Sequence, residues 1–326
     1  MPVLNMVEAI RATLAAEMER DDRVILLGQD IGRNGGMFRA TDGLQARFGE
    51  DRVVDMPLAE GVIIGSAVGL ACSGLRPVPE IQFLGFGSQA FHQLEGQVAR
   101  MRFRSQGRYP MPIVIRAPFG GGVRTPEMHS DAHEAKYANS PGLKVAMPAT
   151  ARDAKGLLTE ALRGEDPVLF CEPLRGYRLV KDEVPEGDYA TPFGQLRVVR
   201  DGRDITLVAW SAAVGVAEQA AELAAEDGIS CQVVDLRTLV PLDAEGLGEV
   251  VAATGRAVVV HEAPLTAGFG AEVVATIVEH AFWSLTAPIV RVAAPDAPYP
   301  IASLEALYVP SAGRVLEAIH RVMQSA

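Results

Sequence analysis

Cysteine is scarce in this 326-residue chain, limited to Cys72, Cys171 and Cys231. An odd, widely spaced set is not a disulfide framework, and with no Cys-x-x-Cys the usual zinc motifs drop out. A reducing, cytoplasmic setting is expected. Long apolar runs are also missing. No stretch reaches the ~18 uninterrupted apolar residues of a membrane span. The nearest, Val62–Leu75, is shorter, carries several glycines and reads as a buried core helix. The start, Met1-Pro-Val-Leu-Asn-Met, has no signal-peptide pattern and turns charged at Glu8 and Arg11. Basic residues are outnumbered, 30 against 41, giving a formal net charge of -11 that argues against nucleic acid as a partner. What remains, 48% hydrophobic and 22% charged residues, is a globular balance, which excludes disordered and fibrous classes.

At about 150 residues per domain the length allows two domains. A helical period covers Met6–Arg20, and Arg23–Leu27 is a short strand ending at Gly28. The pattern then predicts a helix over Leu58–Ser73, a strand at Val78–Phe83 and a helix over Gln89–Arg104. Pro112–Arg116 is a β-branched strand running into Gly120-Gly121-Gly122; strand Leu143–Met147, helix Ala151–Arg163 and strand Val168–Cys171 follow. Repeated βα units with apolar strands imply a parallel sheet covered on both faces. Pro173–Pro192 has little periodicity and reads as a linker. The alternation restarts with strand Ile205–Ala209, helix Val214–Ala225, strand Cys231–Leu236 and helix Ala244–Ala253. Strand Ala257–His261, helix Ala271–Phe282, strand Ile289–Val292 and helix Ala312–Met323 complete it, with Gly228 placed to stop the first helix. The expected architecture is α/β, two doubly wound domains over 1–180 and 199–326, joined by 181–198.

Two positions draw attention as chemistry. Pro57 suits a first helical turn, which places Glu60 near the positive end of a helix dipole. A surface carboxylate offsetting that dipole is the plain interpretation. However, Glu60 has small or apolar neighbours and opens a helix apolar on nearly every face, so its carboxylate is expected in the interior, where such groups gather at functional sites. His129 lies in the loop after the Pro112–Arg116 strand, beyond the triple glycine, where open α/β sheets bind ligands. It could equally be a turn or capping histidine. His129, Asp131 and His133 have the residue types of a metal site, but no third conventional ligand follows at helical spacing. The triple glycine lacks the spacing of a dinucleotide or P-loop motif.

Together these pieces resemble the beta subunits of heterotetrameric 2-oxo acid dehydrogenases, of both pyruvate and branched-chain types, over essentially the whole chain. The resemblance rests on Asp55-Met-Pro-Leu-Ala-Glu60, Arg76-Pro-Val-Pro-Glu-Ile-Gln82-Phe83, Arg116-Ala-Pro-Phe-Gly-Gly-Gly-Val, Pro141-Gly-Leu-Lys-Val, Asp153-Ala-Lys-Gly-Leu-Leu and Asp166-Pro-Val-Leu-Phe. It continues in Val234-Asp-Leu-Arg-Thr-Leu-Val-Pro-Leu-Asp243, His261-Glu-Ala-Pro-Leu-Thr and Ala287-Pro-Ile-Val-Arg-Val. It implies a transketolase-like pyrimidine-binding domain followed by a transketolase C-terminal domain. It implies thiamine diphosphate as cofactor, with Glu60 on N1′ of the aminopyrimidine and Leu58, Gln82 and Phe86 against the ring. His129 matches the histidine that helps pass the acyl group to a lipoyl arm, although Ser130-Asp131 replaces the Ser-Gln of some relatives. A potassium ion on Ile113, Ala161, Leu162, Gly164 and Asp166 is implied too, with Gly164 in place of a common aspartate.

The family's cofactor also needs magnesium on a Gly-Asp-Gly segment, and this sequence has none. The diphosphate and magnesium are therefore expected on an alpha subunit, in an α2β2 assembly docked to a lipoyl acyltransferase core. A self-sufficient transketolase-like synthase and a non-catalytic assembly subunit are the competing readings. The substrate stays open between pyruvate and a branched-chain 2-oxo acid, with acetoin a further option; His261-Glu-Ala-Pro-Leu-Thr-Ala-Gly-Phe tips it towards branched-chain.

Overall fold

The computed structural model describes residues 1–325. Seven strands form the first sheet, in the order Thr238–Val240, Lys144–Ala146, Val168–Pro173, Val114–Phe119, Arg76–Glu80, Val24–Gly28, Val53–Asp55. All neighbours are parallel except the first pair. Five strands form the second sheet, in the order Val290–Ala294, Ala257–Pro264, Ile205–Ala209, Cys231–Asp235, Arg197–Arg200; only the last pairing is antiparallel. Parallel strands need crossover helices, and the central strands, mostly apolar, are buried throughout.

Local chemistry sets several boundaries. Asn5 caps the Met6–Arg20 helix in a reciprocal box with Glu8, at 2.9 and 3.0 Å. The strand expected at Val78–Phe83 lies at Arg76–Glu80. Pro77 and Pro79 lack N–H donors, and on the side of the Val114–Phe119 strand only Glu80 pairs, with Arg116.

One expectation needs correction, and two features go beyond the expected elements. The helix expected over Gln89–Arg104 is broken: a 3-10 segment Leu84–Ala90, a short turn Phe91–Gln93, a π segment Leu94–Val98 and a last turn Met101–Arg104. Glycines 85, 87 and 96 weaken a regular helix there. The linker is laid down on the first domain: Lys181–Glu183 pairs antiparallel with Val3–Asn5, and Lys155 Nζ donates to the carbonyls of Pro185 and Gly187 at 2.7 and 2.8 Å. The strand Thr238–Val240 has no counterpart among the expected elements; it leaves the second half of the chain to extend the first sheet. Beside it Arg197 and Arg237 reach the buried Asp153 of the Ala151–Arg163 helix at 3.1 and 2.8 Å, tying the halves together.

Candidate active site

Glu60 is the first residue of its helix, three positions later than a proline start would give, and Ala59 before it provides no side-chain cap. Its side chain lies inside as expected: the residue is 7% exposed, and Oε2 is buried with no hydrogen-bond partner. A lone carboxylate oxygen in that position is costly until something completes it. Gln82, just beyond the Arg76–Glu80 strand, repeats the pattern with a buried, unpartnered Nε2. Both stand at the carboxyl edge of the parallel sheet. Leu58, by contrast, is 70% exposed, as is half of Val62 on the same side of the helix start.

The Leu84–Ala90 segment connects this edge to the histidine. The helix head at Gly61 packs on it, close to the carbonyl oxygen of Gln89. At its other side Gly85 admits the turn Glu127–His129 so closely that a Cβ would overlap the Met128 carbonyl oxygen. His129 stands edge-on to two rings, with centroids 4.6 Å from Phe83 and 4.9 Å from Phe86. Its Nδ1–H donates to the Glu127 carbonyl at 3.3 Å, leaving Nε2 for other work. Phe86 and His129, 43 positions apart by their numbers, are therefore brought into contact.

The triple glycine is not an empty cradle. Gly121 N–H donates to Glu262 at 2.6 Å, and Gly122 and Arg124 N–H donate to Glu305 at 3.0 and 3.1 Å. Successive N–H groups of a glycine turn make an anion-binding hollow, and carboxylates of the second domain fill it. Burial pushes the Glu262 carboxyl up, against the pull of Gly121 N–H and Arg175.

His133 is engaged locally, 3.6 Å from Asp131 and 3.4 Å from Lys136, and burial lowers its basicity despite Asp131. Among the described residues no three His, Cys, Asp or Glu side chains converge as metal ligands. Of the carbonyls implied for potassium, those of Ile113, Ala161, Leu162 and Gly164 already accept hydrogen bonds. Val168 N–H takes Ile113, Gly164 N–H takes Ala161, and the Arg76 guanidinium takes Leu162 at 2.9 Å and Gly164. The Asp166 carboxylate pairs with Lys144 at 3.1 Å and with Arg102. A guanidinium already supplies positive charge at this corner.

Residues 3–179 match the transketolase pyrimidine-binding domain and 194–315 the transketolase C-terminal domain. The chain is 48% identical over 324 residues to the pyruvate dehydrogenase E1 component subunit beta of Bacillus subtilis, covering 99% of this chain and 100% of that one. It belongs to the 2-oxo acid dehydrogenase beta subunits. The same-named subunits of Staphylococcus epidermidis and Staphylococcus aureus are 50% and 47% identical, covering 97% and 99% of this chain and 98% and 100% of theirs. A split-gene transketolase, described as an inactive beta4 tetramer, superposes with a TM-score of 0.80 over 99% of both chains at 24% identity, and shares the fold.

In this beta subunit the strand ends also hold a charge cluster that sequence reasoning missed. Arg116 donates to Glu80 at 2.7 Å and to Glu172 at 2.7 and 3.0 Å, and Tyr177 donates to Glu172. All are buried. Burial alone would lower the Arg116 basicity, but Glu172 and Glu80 override it and raise it; burial raises Glu80 in spite of Arg116. Charged residues within otherwise apolar buried strands, Glu80, Arg116 and Glu172, were the available signal. Phe83 was missed as the second wall of His129, and Glu305 as a partner of the glycine loop.

Proposed function

We propose that this beta subunit serves the decarboxylating component of a pyruvate dehydrogenase complex, holding the aminopyrimidine end of thiamine diphosphate between its own first domain and an alpha subunit. One observation carries the proposal: Glu60 Oε2 and Gln82 Nε2 are both buried and unpartnered at the carboxyl edge of a pyrimidine-domain sheet. A carboxyl and an amide suit an aminopyrimidine, whose ring nitrogens and exocyclic amine donate and accept hydrogen bonds. When bound, the cofactor supplies an electron sink for the carbon that loses carbon dioxide.

The chain's own residues do the rest. Glu60 Oε2 holds and returns a proton at the pyrimidine ring, in a position closed to water. Gln82 Nε2 would donate to the ring and hold its orientation, and Phe86 would stand beside it. His129, its Nδ1–H engaged by the Glu127 carbonyl, offers Nε2 to the acyl group on its way to a lipoyl arm. The exposed Leu58 and Val62 support a contact with the alpha subunit on this face; that subunit would bring the diphosphate and magnesium, and the acyltransferase core would receive the product. The α2β2 stoichiometry belongs to this proposal. So does a cytoplasmic setting, where the three unpaired cysteines stay reduced.

Pyruvate is preferred because relatives at 47–50% identity carry that name. The string that tipped the sequence towards branched-chain substrates packs around His261 and grips the glycine loop through Glu262, so it does not report on substrate size. The test is reconstitution with the alpha partner and comparison of rates on pyruvate, 2-oxoisovalerate and acetoin. Pyruvate should lead, and Glu60→Gln should lower decarboxylation at least about 100-fold. Wild-type rates in that variant would end the proton-holding role; a lead for either other substrate would end the pyruvate assignment.

A further inference from the structure

The loop from Gly120 to Asp131 is a closed unit. Gly120 N–H reaches the Asp131 carbonyl at 3.4 Å across its neck, and Ser130 donates to the Thr125 carbonyl at 3.3 Å. The tip docks on Gly85 and carries His129. The first leg is held from outside. Glu305 Oε1 accepts from Gly122 N–H, Arg124 N–H and the Tyr299 hydroxyl, at 3.0, 3.1 and 2.6 Å, and Oε2 shares the Arg124 N–H at 3.3 Å. Glu262 takes Gly121 N–H next to it. Glu305, Tyr299 and Glu262 are all buried or nearly so, and all belong to the second domain. The fit leaves no slack, because a Cβ on Gly121 would overlap the Tyr299 hydroxyl.

We propose that the second domain positions His129, its Glu305 and Glu262 carboxylates gripping the Gly121, Gly122 and Arg124 N–H groups of the loop that presents the histidine. Glu305 is a positioning residue: its hydrogen bonds go to the loop and to Tyr299, and it works through the loop. The inference rests on the acyl-transfer role given to His129 above.

The reconstituted enzyme with its alpha partner separates the alternatives. Decarboxylation is followed with an artificial electron acceptor, and acyl transfer with a free lipoyl domain. Glu305→Ala should lower acyl transfer about ten-fold, several-fold more than decarboxylation. Glu305→Gln should restore part of it, since an amide oxygen in the Oε1 position keeps the three shorter contacts and only the 3.3 Å contact of Arg124 N–H with Oε2 is lost. Tyr299→Phe, which removes one donor and leaves the carboxylate, should shift the ratio of the two rates in the same direction to a smaller extent, and it serves if Glu305→Ala fails to assemble. Equal loss of both rates, or no rescue by Glu305→Gln, would overturn the positioning role. A wild-type enzyme that never acylates the lipoyl domain would instead refute the functional assignment beneath it.

Discussion

Arg116→Met tests the buried charge cluster at the strand ends. The guanidinium is 2% exposed, and its carboxylate partners Glu80 and Glu172 are 6% and 0% exposed. Removing it cancels three hydrogen bonds of 2.7–3.0 Å and leaves two carboxylates facing each other in a dry site. Breaking a buried ion pair from one side costs about 3–5 kcal/mol. At roughly 2–3 °C per kcal/mol for a chain of this size, the thermal midpoint should fall by roughly 6–15 °C. The loss has a pH signature. Burial already raises the Glu80 carboxyl above the ordinary 4.5 against the pull of Arg116, and without the guanidinium that pull is gone, so Glu80 must take a proton to stay buried. The folded variant then binds more protons than the unfolded one, and its stability drains away as pH rises above that value. Thermal unfolding followed by circular dichroism at pH 5 and pH 8 should show the larger deficit at pH 8. Adding Glu80→Met and Glu172→Leu should recover most of the loss. A deficit below about 1 kcal/mol, or one independent of pH, would refute the assignment of these charges as an obligatory buried set.

Glu134 is fully buried, neither oxygen makes a hydrogen bond of ordinary geometry, and burial pushes its carboxyl up to about 7, with Glu262 adding to the rise and the nearby N–H groups of Glu134 itself and Trp210 opposing it. Its proton therefore stabilises the fold fully below the ordinary 4.5, and the benefit is lost as pH rises through about 7, a change of about 3 kcal/mol; Glu134→Gln should flatten the stability profile over that range and raise the midpoint at pH 8. Because Arg76 already sits on the Leu162 and Gly164 carbonyls, exchanging potassium for tetramethylammonium at fixed ionic strength should leave the thermal midpoint and the activity unchanged. A saturable rise in midpoint with potassium would place the ion there after all.

Where the chain's pattern was local, it could be read directly. The second-half strand Ile205–Ala209 stands where its apolar run put it, and Gly228, at φ 78°, lies just past the helix ending at Glu226. Glu60 was legible because a helix head whose other residues are small or apolar is drawn into the core and takes its carboxylate with it. Contacts across the chain left no such trace. Gly121 and Glu262 are 141 residues apart, Gly122 and Glu305 183, and no spacing rule links them. The glycine spacing matched no phosphate-binding motif, and the sequence could not reveal that the protein's own carboxylates occupy the loop.

The sequence alone determined the alternation of strands and helices, the two-domain plan and the residue types that a proton-handling site needs, since periodicity and helix-end chemistry act within a few residues. Only the tertiary structure decided which polar groups are satisfied and which are left wanting. Burial and partnership depend on what the folded chain lays beside each atom, and so it took the fold to leave Glu60 and Gln82 unpartnered, to set His129 between two phenylalanines, and to send a strand of the second half into the sheet of the first.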